Sequence, residues 1–523
     1  MTTGREQKKI ARKRLDIHPH VFGFSAGLIV LFTVFTLLNL DAADSAFNGA
    51  KVFITETFGW FLILCVQGFL ILCVYLAVSR FGYIRIGGPG ARPKYSRTAW
   101  FSMLFSAGMG IGLMFWGVAE PLLHFESPPD IPGLTPRAAA RAMDLSFLHW
   151  GFHAWAIYAL VGLSLAYSCF NRGLPLTIRS AFYPILGKRI EGPLGNLIDI
   201  LAVVATLFGV ATSLGLGVAQ INAGLNYLFG VEVSPTIQLG LIAIITAVAT
   251  MSVVSGLDNG IKILSQLNLL AALVLMLFLL IIGPSLFLVK GFVQNLGHYL
   301  QNLLTLGSWT ETYARDLHWQ GNWTIFYWSW WIAWSPFVGM FIARISYGRS
   351  VREFLLGVLV VPSFLTFLWF SVFGGAAIFE TMFTKTPILD AVNSNVATAL
   401  FELLGAFPLA NVTSLIALVL VFVFFVTSSD SGSLVIDIIT SGGNLDPPLA
   451  QRIFWAVSEG VVAAVLTVGG GLVALQTASI MTGLPFTIVL ALMAWGLLRA
   501  FREEIPPLSH RAAREHYNGD PKH

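Results

Sequence analysis

Charge is what this sequence has least of. Asp, Glu, Lys and Arg together make up 11% of its 523 residues, less than half of the roughly 25% usual in a soluble domain. That scarcity excludes a solvated surface over most of the chain. Cysteine is scarcer still: Cys65, Cys73 and Cys169 all fall inside apolar runs, where thiols act as small hydrophobes, so no disulfide or metal-thiolate framework is expected. No cofactor is implied either. No long polar or low-complexity stretch separates the apolar runs, which argues against an extramembrane catalytic or receptor module. The net charge of +4 forms no basic face that would call for a nucleic-acid partner. The basic segment 1–20 could imitate a signal peptide, but no small-residue cleavage pattern follows the next apolar run, so it is read as leading into a mature first helix.

What is present is hydrophobic and aromatic, with 56% apolar residues, 41 Phe and 15 Trp. Long, nearly uncharged runs point to helices, which satisfy their own backbone, rather than to the short alternating segments of an outer-membrane barrel. Twelve spans are predicted near 21–40, 58–78, 99–123, 146–170, 198–228, 237–255, 262–289, 322–345, 354–375, 411–441, 452–468 and 475–498. The distribution of basic residues supports this count. Segments on the side of the N-terminus hold 25 of the 31 Lys and Arg and the opposite segments hold 6, the bias expected with both termini cytoplasmic. The expected organisation is therefore a cytoplasmic segment 1–20, one twelve-helix domain over 21–498 and a short cytoplasmic tail over 499–523. Two outer segments, Thr135 to Leu145 and Val293 to Leu306, read as amphipathic interfacial helices, the second equally well as a connector packed on protein.

Two spans are interrupted. The third contains Gly108-Met109-Gly110-Ile111-Gly112, and the eighth contains Ser335-Pro336 followed by Gly339. Close helix packing explains such glycines in isolation. Spans three and eight, however, lead two consecutive five-helix sets, and broken helices at matching places of two repeats point to a transporter's central site. Aromatics gather on the eighth span, including Trp328, Trp330, Trp331 and Trp334, and on the fourth, as Trp150, Trp155 and Tyr158 with His149 and His153. On ideal helices these rings fall on common faces. Converging ring faces form a box for a cation with no N–H to donate, a quaternary ammonium, although core packing is the plain alternative. Charges within spans are few: Glu120, Asp199, Lys262, Arg344, Asp430, Asp437 and Glu459. Asp430 stands out, flanked by Thr427-Ser428-Ser429 and Ser431-Gly432-Ser433, because hydroxyls facing freed carbonyls suit a monovalent cation. Helix bending by these serines is the alternative.

At these residues the sequence resembles the betaine/carnitine/choline transporters, secondary transporters of quaternary-ammonium solutes. The run Trp323 to Arg349 is similar to the family signature almost throughout, and Gly108 to Phe115, His149 to Tyr158 and Val426 to Ser433 are similarly placed. The resemblance implies an all-α integral membrane protein of twelve transmembrane helices. Helices 3–7 and 8–12 would form a LeuT-like 5+5 inverted repeat behind two extra N-terminal helices, usually in homotrimers set in membrane lipid. By position it implies an aromatic box of Trp150, Trp155, Tyr158 and Trp331 with Trp330 and Trp334 beside it, backbone near Ala107, Gly108, Met109, Gly110 and Gly112 at the substrate, and an access path along Phe115, Phe326, Phe337 and Phe341. For a coupling sodium it implies Ser106, Met109, Thr427 and Ser428 near Phe424. Of the two threonines that serve a second ion, Thr206 is matched and the other place is Val210. The arginine that replaces the first sodium in carnitine exchangers has no counterpart in spans five and six.

The expected function is import of a quaternary-ammonium compatible solute across a bacterial-type inner membrane on a sodium gradient. Gly112, where choline carriers can hold an acidic residue, tilts the reading toward glycine betaine. A proton-coupled choline carrier is the alternative, and a channel or osmosensor on the same fold is the alternative of another class. An enzyme is not expected, because only His149 and His153 resemble a reactive pair and no carboxylate or cysteine motif matches them.

Overall fold

Inside a bilayer, backbone groups have no water to pair with and must pair with one another. The computed structural model of the protein, which describes residues 15–108, 110–255, 258–314 and 318–505, meets that demand almost wholly with helices. The first group is α1 (Pro19–Leu38), α2 (Leu40–Val78), α3 (Arg97–Gly108), α4 (Ile111–Glu126), α5 (Pro136–Trp150), α6 (Phe152–Phe170) and the one-turn α7 (Tyr183–Leu186). Next come α8 (Pro193–Phe229), α9 (Pro235–Ser255), α10 (Asp258–Ile282), α11 (Ser285–Gly307), α12 (Trp319–Asn322), α13 (Thr324–Ile345) and α14 (Val351–Phe379). The last are α15 (Ile388–Ser394), α16 (Ala399–Gly405), α17 (Ala410–Thr440), α18 (Leu449–Val468) and α19 (Gly471–Glu504). An isolated antiparallel bridge joins Arg85 to Ser350.

Among the described residues, ten helical stretches are long and apolar enough to cross a membrane. Their outer faces are undisguised: Leu31, Ile281 and Leu286 are 66%, 70% and 68% exposed. Many such side chains together would drive aggregation in water and are well solvated in lipid. Two of the twelve expected spans fall outside the ten for physical reasons. The stretch 99–123 is divided into α3 and α4, each too short alone, and the stretch 322–345 is α13, whose four indoles lower its hydropathy.

Three expectations are corrected. The fourth span begins not near 146 but as two helices, because Gly151 leaves the helical region (φ −99°, ψ −137°) and separates α5 from α6. Rings on either side of that break do not obey one helical wheel. The segment from Thr135 to Leu145 turns its apolar face to protein rather than to lipid: Ala138, Ala142, Asp144 and Leu145 are fully buried, and α5 packs against α4, α11 and α14. Of the two readings for 293–306, the structure takes the connector. Tyr299 of α11 is buried among Phe147, Phe152 and Phe367, and His298 Nδ1 lies 2.5 Å from Asp144 Oδ2.

The third correction concerns Pro336. A proline inside a helix deprives the carbonyl four residues back of its donor, here Ile332, and Ser335 Oγ donates to that carbonyl at 2.7 Å. The preceding residue thus supplies the bond the proline cannot, and α13 stays helical through Ser335-Pro336. At its ends the bundle is tied by polar contacts. Arg179 pairs with buried Asp199, and Arg349 reaches Glu353 at 2.7 Å and the Tyr95 carbonyl at 2.6 Å while stacking on Trp100. The chain before α1 is pinned where the His18 amide donates to the Thr440 carbonyl at 2.7 Å.

Helix α13 lies at the centre, against α6, α8 and α19. It crosses α6 glycine to glycine: a Cβ on Gly339 would lie 2.5 Å from Val161 Cγ1 and 3.1 Å from the Gly162 nitrogen. Overpacking of that kind destabilises by about 1–3 kcal/mol, so Gly339→Ala should lower the melting temperature of the purified protein, whereas Gly297→Ala, where a Cβ meets nothing within 4 Å, should leave it unchanged.

Candidate functional site

The interruption of the third span decides where the central cavity lies. Helix α3 ends at Gly108 and α4 begins at Ile111, with Gly110 in extended backbone (φ −170°, ψ −174°) as its N-cap. The first amide groups of α4 have no carbonyl one turn earlier to pair with. Gly110, Ile111 and Gly112 line a cavity of about 260 Å³, and the helix therefore turns its electropositive end toward it.

Opposite and beside that terminus stand the rings. Trp150 from the end of α5, Tyr158 from α6, and Trp330, Trp331, Trp334, Phe337 and Phe341 from α13 all line the cavity. Trp150 and Trp331 meet edge to face, with centroids 5.0 Å apart and planes at 90°, and Tyr158 meets Trp331 at 5.5 Å and 80°. Each lining indole has its N–H engaged elsewhere. Trp331 donates to the His149 carbonyl (2.9 Å), Trp334 to the Gly209 carbonyl (2.8 Å), Trp330 to Ser213 Oγ (3.2 Å) and Trp150 to Glu120 Oε2 (2.7 Å). What remains toward the cavity is ring surface. No described lining residue is an Asp, Glu, Lys, Arg or His.

The expected site residues separate into those that line the cavity and those behind it. Trp155 turns its ring edgewise to Tyr158 (5.5 Å, 80°) one layer back. Phe326 stacks behind Trp330 (5.5 Å, 15°), and Phe115 is buried against Trp116, so neither borders the cavity with Phe337 and Phe341. Met109 lies outside the described residues, and for Ala107 and Gly108 only the backbone helix is described. Ser106, Phe424, Thr427, Ser428 and Ser431 line the same cavity from α3 and α17. The Thr427 hydroxyl donates to the Val423 carbonyl at 2.9 Å, which leaves its oxygen lone pairs available. Thr206 is elsewhere, bonded to the Ala202 carbonyl within α8 and absent from the lining.

Several lining groups carry little sequence signal. Ser213 follows Thr212 on α8 and Asn268 follows Ser265 and Gln266 on α10, and nothing in the sequence sets the lining residues apart from their polar neighbours. Glu120 looked like a residue near a span end, yet it is fully buried in mid-α4. Nor do His149 and His153 act as a pair. Gly151 separates their helices, His149 Nδ1 meets Glu120 at 2.6 Å, and His153 Nε2 meets Gln67 at 2.7 Å. Glu120, His124 and His149 hold their ligand atoms within 4.8 Å of one another, close enough for a metal ion, but the carboxylate already has protein donors on both oxygens.

The sequence matches the family model described as BCCT, betaine/carnitine/choline family transporter, over residues 20–506. It is 45% identical over 524 residues to a glycine betaine/proline/choline transporter of Vibrio parahaemolyticus, with 97% of this chain and 94% of that protein covered. It is 46% identical over 495 residues to a glycine betaine transporter of Acinetobacter baylyi, covering 94% and 75%. With a glycine betaine transporter of Bacillus subtilis it shares 44% identity over 486 residues, covering 92% and 94%.

Sterically, the critical glycine is Gly112. A Cβ there would lie 2.6 Å from Trp150 Cη2 and 2.9 Å from Trp330 Cη2, whereas a Cβ on Gly110 meets nothing within 4 Å. Gly112→Ala should therefore push two rings of the cavity apart and reduce ligand affinity by about tenfold or more, a loss of ~1.4 kcal/mol or greater. Gly110→Ala should retain folding and melting temperature. Ligand titrations by tryptophan fluorescence on both purified variants check the contrast.

Proposed function

Because the chain belongs to the betaine/carnitine/choline family of transporters, we propose that it imports a quaternary-ammonium compatible solute, glycine betaine first, by symport with sodium. It is a transporter and not an enzyme. The observation that carries the substrate reading is a cavity walled by Trp150, Tyr158, Trp330, Trp331 and Trp334 whose described lining has no Asp, Glu, Lys, Arg or His. Ring faces attract a cation through their quadrupoles and, unlike a carboxylate, demand no donated N–H. A trimethylammonium group fits that wall. At the other pole, the α4 N-terminus at Gly110 to Gly112 supports a carboxylate through free amides and the helix dipole. A zwitterion uses both poles; choline uses one.

The hydroxyls of Ser106, Thr427 and Ser428 beside the cavity support a small monovalent cation held by oxygen dipoles. Sharing one cavity with the solute, such an ion would bind cooperatively with it, and linkage makes that help reciprocal. Thr206, bonded within its own helix, adds nothing to this set. Proton-coupled choline uptake is the second reading, favoured by Val210 in place of a hydroxyl residue. For architecture, we propose that α3 with α4, and α13, cross the membrane with the ten longer stretches, as two N-terminal helices followed by two inverted five-helix repeats. Both termini would be cytoplasmic, in a bacterial inner membrane, and three copies would form a homotrimer.

Two measurements test these assignments. Trp331→Leu keeps apolar bulk but removes the quadrupole, worth ~2 kcal/mol when desolvated, so the apparent Kd for glycine betaine should rise roughly 10- to 30-fold with melting temperature preserved; an unchanged Kd removes the box as drawn. In proteoliposomes with sodium and proton gradients imposed separately, uptake should follow sodium, and Thr427→Ala with Ser428→Ala should weaken sodium activation about tenfold or more. Full uptake on a proton gradient without sodium overturns the sodium assignment.

A further inference from the structure

Behind the aromatic cavity lies a carboxylate that does not line it. Glu120 is fully buried in α4, and four groups converge on its two oxygens. Trp150 Nε1 (2.7 Å) and Tyr327 Oη (2.6 Å) reach Oε2, while His149 Nδ1 (2.6 Å) and His124 Nε2 (3.3 Å) reach Oε1. An ionised carboxylate offers about four acceptor sites and no donor. The indole N–H can only donate and the phenol O–H donates beside it, so Oε2 accepts two hydrogen bonds; on Oε1 the His149 Nδ1 contact is a third when that nitrogen carries the proton, as an ionised carboxylate requires, and His124 Nε2 at 3.3 Å makes none.

The imidazoles need not carry a compensating charge. His149 Nε2 lies 2.9 Å from Thr324 Oγ1, whose hydroxyl can donate to it, leaving a neutral ring with its proton on Nδ1, facing Glu120. His124 Nδ1 and Nε2 are both buried with no hydrogen-bond partner among the described residues, and an imidazolium there would add a second unpaired donor, which disfavours it. Among the described residues no Lys or Arg pairs with Glu120; its ion-pair partners are His124 and His149 alone. With both rings neutral, Glu120 places one net negative charge behind a cavity whose described lining holds no Asp, Glu, Lys, Arg or His.

Trp150 connects the two. Its N–H is on the carboxylate and its ring is on the cavity wall. We propose that Glu120 is a positioning residue and the buried counter-charge of the transported ammonium, acting through Trp150: it fixes the indole plane and, by accepting the indole proton, enriches the ring face presented to the cation. Such polarisation of one hydrogen-bonded group by the next is general at low local dielectric. The consequence is a specificity, namely that the site distinguishes a quaternary nitrogen from a quaternary carbon of the same shape. The inference rests on the quaternary-ammonium reading of the cavity.

The test uses full-length protein, in detergent for binding and in proteoliposomes for uptake. Glycine betaine and choline are compared with their carbon isosteres, 3,3-dimethylbutanoate and 3,3-dimethylbutanol, in the native protein, E120Q and E120D. The native protein should prefer each nitrogen compound over its isostere by more than tenfold. E120Q, isosteric but uncharged, should lose tenfold or more in affinity for the nitrogen compounds and less than about twofold for the isosteres, so that the preference collapses. E120D, which draws the charge away from Trp150, should reduce the preference part-way. Equal losses for nitrogen and carbon compounds would reduce Glu120 to a structural role and overturn the proposal, as would an unchanged preference in the folded variants, with E120D deciding if E120Q is not recovered folded. A native protein that binds neither glycine betaine nor choline refutes the substrate reading itself, and in that case the variants are not needed.

Discussion

The centre of this molecule depends on one interrupted backbone. Where α3 stops at Gly108 and α4 starts at Ile111, amides that a continuous helix would consume are left facing inward. A bilayer permits that only beside a polar or ligand-filled space, so the break and the cavity require each other. The rings take their places around the same point: Gly112 has no side chain because two indoles occupy the volume a methyl would need. Backbone conformation, glycine position and aromatic packing form one arrangement.

Satisfying buried polar groups governs the next layer. Each indole on the wall is held by its nitrogen, on a carbonyl, a hydroxyl or a carboxylate from another helix. A buried N–H without an acceptor costs about 1–3 kcal/mol, so these bonds fix the ring planes as firmly as packing does. The same requirement explains Ser335, whose hydroxyl closes the gap opened by Pro336 and keeps α13 helical. It also explains why α5 is inside the bundle. Its Asp144 has a partner in His298 of α11, and a lipid-facing helix would offer none.

Much of this was legible in the sequence because periodicity and ring content survive without a structure. The apolar runs located the helices, the glycines of 108–112 located the break, and the indoles of 323–334 together with Trp150 and Tyr158 located the cavity wall. The failures have identifiable causes. A wheel drawn through Trp150 and Trp155 assumes one helix, and Gly151 makes two. Proline suggested a second break, but a neighbouring hydroxyl restored the missing bond. Thr135 to Leu145 looked interfacial because its charges are visible in the sequence and the partner of Asp144, His298, is distant in the chain. Glu120 was visible as a charge within a span, but apart from His124, one turn on, nothing local to it announces that Trp150, Tyr327 and His149 surround it.

The engaged indole nitrogens also set what the wall rejects. Since Trp150, Trp330, Trp331 and Trp334 spend their only donors on the protein, these four rings show an incoming solute neither donor nor strong acceptor, and they solvate water poorly. A primary or secondary ammonium pressed against it forfeits the hydration of every N–H it carries, whereas a fully methylated one has no N–H hydration to forfeit. Discrimination of this kind arises in the solute's own dehydration rather than in a contact. Polyamines are therefore turned away without a single residue placed to repel them.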